Sequence, residues 1–425
     1  MNPEQFSQQL LKFLDSSPTP FHATENLAQA LSLAGFVEVK EADAWDIKAG
    51  QGYYLLRNDS SILAWRQPES FSAGLRMVGA HTDSPCLKVK PNPEIYRFGY
   101  HQLGVEVYGG LLMNPWFDRD LSLAGRVSYL DGSGELKHEL IDYVDAIGSI
   151  PNLAIHLDRE ANTARTVNAQ LHLPVLLGQG EDKLNLREML ADKLRQQGRS
   201  VGQVLDYELS FYDTQGASLI GLKREFIASA RLDNLLSCFI GLQSLIYASP
   251  GQAQVLICTD HEEIGSTSAC GAAGPMLEQW LERIIPDNEV RNRALAASML
   301  ISADNAHGVH PNYADKHDEN HGPLLNSGPV IKLNSNQRYA TNSETSATFK
   351  QIALQEEVDV QAFVVRSDMG CGSTIGPITA AEVGVRTVDI GVPQFAMHSI
   401  REMAGVHDAH GLYRILKRFY AKSRV

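Results

Sequence analysis

Glu262 and Glu263 stand side by side in Val-Leu-Ile-Cys-Thr-Asp-His-Glu-Glu-Ile-Gly-Ser, directly after an apolar run, Val255 to Cys258, that reads as a buried strand. On an extended strand end, neighbouring side chains point to opposite sides, so one carboxylate can face a metal while the other faces a substrate. Taken alone, such a pair is equally an ion-pairing feature of a loop. Four further segments put a metal-binding side chain just past a strand or at a helix start: Gly79-Ala80-His81-Thr82-Asp83, Ala230-Arg231-Leu232-Asp233-Asn234, Ser302-Ala303-Asp304-Asn305 and Phe395-Ala396-Met397-His398. Singly, each is as readily a cap or a satisfied polar group. Together they supply imidazoles and carboxylates without thiolate, a donor set that suits zinc, with manganese or cobalt as substitutes. The set exceeds what one tetrahedral ion needs and suffices for two ions sharing a bridging carboxylate and a water. Asp83, two residues beyond His81, can hold that ring in its metal-binding tautomer. The alternative for Asp83 is a turn cap beside Ser84-Pro85.

These side chains need a scaffold that gathers distant segments. Leu75 to Ala80, Ser298 to Ile301, Val358 to Val365 and Thr387 to Ile390 read as further strands. Helical spacing runs through Phe6, Leu10, Phe13 and Leu14, through Leu232, Leu235, Leu236, Phe239 and Ile240, through Leu277, Trp280, Leu281 and Ile284, and through Leu412, Ile415, Leu416 and Phe419. Strands alternating with amphipathic helices predict an α/β fold, a mixed, mostly parallel sheet flanked by helices, with ligands gathered beyond the carboxyl ends of the strands. The texture changes between 92 and 226. Alternating stretches such as Val127-Ser128-Tyr129-Leu130 and Tyr207-Glu208-Leu209-Ser210-Phe211 are separated by turns such as Asp131-Gly132-Ser133-Gly134. That segment reads as an inserted β-rich domain, leaving 1–91 and 227–425 as a discontinuous α/β domain that carries the metal-binding segments.

With 425 residues, 44% of them hydrophobic and 20% charged, the chain reads as globular and long enough for more than one core. A formal net charge of -13 argues against nucleic acid and anionic membranes as partners. It also means that an acidic ligand would need a local cation. The five cysteines are scattered and form no Cys-x-x-Cys; with no basic, apolar leader at the start, a cytoplasmic location is expected.

The five segments resemble the aspartyl aminopeptidase family, within the co-catalytic dizinc exopeptidase clan. Three more stretches carry that resemblance: Ser16-Ser17-Pro18-Thr19-Pro20-Phe21-His22, His310-Pro311-Asn312-Tyr313 with Lys316-His317, and Gly328-Pro329-Val330-Ile331-Lys332-Leu333-Asn334. It spans essentially the whole chain. The resemblance implies two zinc ions per subunit, with His81, Glu263, Asp304 and His398 as terminal ligands, Asp233 as the bridging aspartate and Glu262 as general base. It implies peptide substrates with an acidic amino-terminal residue and assigns Lys332 to reading that side chain, although pattern alone makes Lys332 a surface lysine. His310 and the glycine-rich Gly372-Ser373-Thr374 are implied near the substrate. His156, whose plain reading is a polar residue on an edge strand, is implied to reach the active site of a neighbouring subunit. The inserted domain would then serve dimerisation, within a tetrahedral dodecamer. Other readings of the same residues are a metal-dependent amidase or deacylase of the clan, and a non-catalytic assembly stapled by metal.

Overall fold

The computed structural model describes residues 1–424. The chain divides into two compact units: Met1–Ser84 with Ala217–Met397 and Glu402 onward, and Pro85–Gly216 with His398–Arg401. The expected boundaries, 92 and 226, shift for a physical reason. Cys86–Arg97 already pairs antiparallel within the second unit, whereas Ser218–Ile220 and Phe226–Ser229 belong to a small sheet of the first, where Phe226–Ser229 pairs antiparallel with Glu402–Gly405.

In the first unit, a nine-stranded sheet runs in the order Val37–Glu38, Gly52–Arg57, Ser61–Arg66, Ala253–Thr259, Leu75–His81, Met299–Ala303, Arg386–Gly391, Val330–Lys332, Gln361–Phe363. Its four central members, Ala253–Thr259 through Arg386–Gly391, pair in parallel. Every residue of Ala253–Thr259, Leu75–His81 and Met299–Ala303 is buried, the pattern of a parallel sheet covered on both faces. On one face lie the helices Pro3–Asp15, Pro20–Leu33, Leu232–Tyr247 and Val406–Ala421, whose Phe6 and Phe239 rings meet edge to face at 5.3 Å. The other face is covered by Met276–Ile284 and its neighbours, with Trp280 edge-on to Trp65 at 5.5 Å. Each fully buried leucine or phenylalanine in these layers stabilises the fold by about 1.5–3 kcal/mol. The strand expected over 358–365 contracts to Gln361–Phe363 at the sheet edge, where a ladder exists on only one side. A five-stranded second sheet in this unit was not apparent in the sequence pattern, because its members are two to four residues long.

The second unit is a six-stranded antiparallel sheet in the order Leu136–Asp142, Leu121–Asp131, Val201–Asp213, Cys86–Arg97, Tyr100–Tyr108, Val175–Gln179. This unit also holds the helix Leu186–Gln196. Asn185 caps it by accepting from the Glu188 N–H, and Leu186, Leu190 and Leu194 are buried. Among the described residues, no helix is long and apolar enough to cross a membrane.

Candidate metal centre

Register in the parallel sheet explains the convergence. Thr259 lies opposite His81, and Ser302 opposite Gly79, so three strands end at one level and deliver His81, the 260–263 turn and Asp304 together. Asp233 comes from the start of the Leu232–Tyr247 helix, after Arg231 in a left-handed conformation (φ 58°).

His81 sits at the centre and is buried. Its Nε2 lies 3.5 Å from Asp233 Oδ1, 3.5 Å from Asp304 Oδ1 and 3.9 Å from Glu262 Oε2. Its Nδ1 lies 3.1 Å from the Asp83 carbonyl and 3.3 Å from Asp83 Oδ1, two acceptors that keep a proton on Nδ1 and leave Nε2, which faces the carboxylates, as the nitrogen that would bind a metal. Ligand atoms of His81, Asp233 and Asp304 lie within 4.8 Å of one another, as do those of His81, Glu262 and Glu263.

The carboxylate pair corrects one expectation. Glu262 and Glu263 do not alternate on a strand end; they open a single 3-10 turn, Glu262–Ile264, entered through His261 in the left-handed region (φ 65°). Both therefore approach His81. Asp83 holds this turn as well as the ring: the N–H groups of Glu262 and Glu263 donate to its Oδ1 and Oδ2, at 3.1 Å each. Two N–H groups at the head of the turn, which have no partner within it, are thereby satisfied by one charge.

The electrostatics follow from crowding. Burial, joined by Asp304, Asp233 and Asp83 and opposed by His81, pushes Glu262 up to about 7. Burial and the charges of Asp233, Glu262 and Asp83, again opposed by His81, push Glu263 up to about 10. Burial works against a charged His81, yet Glu262, Asp233, Asp304 and Asp83 together hold its pKa well above the ordinary value. A divalent cation would reverse this pattern by offsetting the mutual repulsion of the carboxylates. The donor set of imidazole and carboxylate oxygens fits zinc.

Several supporting contacts had no signal in the sequence. Ser84 Oγ donates to the Asp233 carbonyl at 2.6 Å, the Asp233 N–H donates to Glu402 Oε2 at 2.9 Å, and Cys238 Sγ lies 3.0 Å from the His81 carbonyl. Lys332 is not a surface lysine. It is buried at the end of Val330–Lys332, with Nζ 3.0 Å from Asp304 Oδ2, 3.1 Å from the Asn305 carbonyl and 5.2 Å above the Tyr339 ring. A cavity of about 270 Å³ has His310, Lys316, His317, Tyr339, Gly372 and Phe395 in its wall. Ser373 turns away, its Oγ donating to the Arg338 carbonyl at 3.3 Å. In the second unit, His398 Nδ1 lies 3.1 Å from the Gly110 carbonyl, an acceptor that favours a proton on Nδ1 and leaves Nε2 as the nitrogen for a metal. His156 lies in an exposed turn rather than on an edge strand, next to exposed Ile155 and Leu157.

Residues 13–420 match the family described as aminopeptidase I zinc metalloprotease (M18). A probable M18 family aminopeptidase 2 of Pseudomonas fluorescens (strain Pf0-1) is 59% identical over 423 residues, 98% of each chain. A chain in the cryo-EM structure of the Ape4 and Nbr1 complex superposes with a TM-score of 0.96 at 36% identity, covering 99% of this chain and 86% of that one. The S. cerevisiae mApe1 dodecamer gives a TM-score of 0.86 at 26% identity, covering 100% and 98%. With this match across nearly its whole length and with its imidazole–carboxylate centre, the chain belongs to the M18 family of zinc metalloaminopeptidases.

Proposed function

We propose that this aminopeptidase removes amino-terminal aspartate and glutamate from peptides, with two zinc ions per subunit. Manganese and cobalt would be the substitutes. His81, Glu263, Asp304 and His398 would be the terminal ligands and Asp233 the bridge. The observation that carries the reading is the orientation of His81, whose Nε2 faces Asp233, Asp304 and Glu262 while Asp83 holds the Nδ1 side. Zinc, when bound, supplies Lewis-acid activation of water and of the scissile carbonyl.

The remaining steps belong to the chain. Glu262, at the edge of the cluster and with its carboxyl pushed toward neutrality, takes a proton from the attacking water and returns it to the departing amine. Asp83 orients His81 and the turn that carries Glu262. The cavity beside Tyr339 receives the first residue of the substrate, with His310 and Gly372 in its wall. Ser373 holds the glycine-rich loop to the Arg338 segment. Lys332 supplies the cation that an acidic side chain needs in a chain of net charge -13.

His156 would act on the active site of a neighbouring copy, and its exposed turn with Leu153, Ile155 and Leu157 supports burial in a dimer. A dodecamer is the assembly proposed, as named for the S. cerevisiae relative. A reducing, cytoplasmic setting fits the five cysteines, all of them free thiols.

The test is a panel of aspartyl, glutamyl, alanyl and leucyl peptides with free and blocked amino termini. Wild type should favour free aspartyl and glutamyl termini and ignore blocked ones, and Lys332→Ala should lose that preference. Hydrolysis of blocked peptides would instead favour the amidase reading, and a Lys332→Ala profile like wild type would move the reading of the acid to another cation.

A further inference from the structure

We infer that the buried carboxylate of Asp389 is a positioning residue for substrate binding, because it ties together the two loops that wall the cavity. The inference rests on the proposed reading that this cavity receives the first residue of the substrate. Asp389 lies in the middle of the Arg386–Gly391 strand with no solvent exposure, and none of the catalytic steps uses it. One of its oxygens, Oδ1, accepts from Thr374 Oγ1 at 2.6 Å; the other, Oδ2, accepts from the Ala340 N–H at 2.7 Å. Its own N–H donates to Thr341 Oγ1 at 2.9 Å. Thr374 ends the loop that carries Gly372, and Ala340 follows Tyr339; both Gly372 and Tyr339 face the cavity. Tyr339 also lies under the Lys332 ammonium.

Two local choices disfavour the helix Ile375–Val383 and favour this contact. Thr374 is its N-cap, a position where a threonine oxygen normally accepts from the first turn, yet its side chain makes no capping bond. Glycine occupies position 376 although glycine weakens a helix, and a Cβ there would meet Asp389 Oδ1 at 2.2 Å. A helix start that forgoes its cap and takes a glycine so that a buried carboxylate can reach it is built around that carboxylate. Two irregular loops with few ladder bonds of their own gain a shared rigid anchor.

The experiment compares Thr374→Val, Thr374→Ser and Asp389→Asn with wild type in the zinc-loaded enzyme. Thr374→Val removes only the hydroxyl and keeps the side-chain shape. It should raise KM for the best aminoacyl substrate about tenfold, as losing one such bond would. It should leave kcat within about twofold, a split that marks lost binding rather than lost chemistry. Zinc content should not change, and amide exchange should accelerate in peptides covering 338–341 and 370–374. Thr374→Ser should behave as wild type, and Asp389→Asn should exceed Thr374→Val. If Asp389→Asn fails to fold, the threonine pair carries the comparison alone. Faster exchange with unchanged KM would overturn the positioning role, as would a fall in kcat at constant KM or a loss of zinc. A wild type without preference for acidic termini would refute the specificity reading and leave this comparison intact on whichever substrate it prefers.

Discussion

Asp83→Asn removes one charge from a site where three donors converge: the His81 Nδ1 at 3.3 Å and the N–H groups of Glu262 and Glu263 at 3.1 Å each. Asparagine keeps the shape but offers one oxygen and an amide nitrogen that itself donates. One of the two turn N–H groups must then face another donor in a buried site. A hydrogen bond to a charged group contributes about 1.5–3 kcal/mol, and its loss here falls on the turn that carries Glu262 and Glu263. At about 1.4 kcal/mol per decade, this corresponds to roughly 10–100-fold weaker zinc binding, with a comparable loss in kcat/KM. Zinc affinity would be read by chelator competition with metal analysis, beside kcat/KM on a free aminoacyl substrate. Glu262→Gln is the contrasting variant: it removes the proposed base while leaving the Asp83 anchor, and should lose about 10²–10⁴ in kcat with zinc retained. If Asp83→Asn binds zinc within about twofold of wild type, the anchoring argument fails.

Two further outcomes are expected. Asp408 lies buried under the 326–328 turn, accepting from the N–H groups of Asn326 at 2.5 Å and Gly328 at 2.6 Å, and burial pushes it from 3.8 up to about 7 against those donors. Its folded pKa is raised, so the native state holds a proton that the unfolded chain has released, and its contribution to stability declines as pH rises from about 4 to about 7. Urea midpoints across that range should fall less steeply in Asp408→Asn than in wild type; parallel slopes would remove Asp408 as their source. His156→Ala should lower turnover while zinc and solution mass stay unchanged, and a variant as active as wild type would confine His156 to its exposed turn.

The parts of this molecule that were legible in the sequence are those fixed by local pattern. Val255 to Cys258 reads as buried because both sheet faces are covered there, and the strand Ala253–Thr259 is buried throughout. The convergence of His81, Glu262, Glu263 and Asp304 follows once parallel strands are assumed, since their carboxyl ends share one edge. What failed depends on nonlocal or unusual backbone. The strand-end geometry of the glutamate pair assumed extended backbone, but His261 takes a left-handed conformation, which histidine adopts more often than most residues yet still only in a minority of cases. The burial of Lys332 depends on Asp304 arriving from another strand. Glu402 and Asp389 reach their partners across 169 and 15 residues, by contacts that no periodicity encodes. The second domain boundary slipped because Ser218–Ile220 has the texture of the preceding strands, while it pairs with Phe226–Ser229, whose other partner lies near the far end of the chain.

The centre also explains why so much surrounding structure is committed to holding it. Carboxylates packed around one imidazole repel each other, and burial removes the water that would screen them. Without a cation, such a cluster favours either protonation or spreading apart. Protonation is what the raised carboxyl pKa values express; spreading is resisted by Asp83 on the 262–263 turn, Glu402 on the Asp233 backbone and Lys332 on Asp304. These contacts act on backbone N–H groups or on the outward-facing oxygen of a carboxylate, and so keep the inward atoms aimed at the space around His81 Nε2. A scaffold that holds like charges together in advance leaves less reorganisation to be supplied when zinc binds. Loss of an anchor should therefore weaken metal binding even where every ligand side chain is kept, which is why Asp83→Asn discriminates better than removal of a ligand.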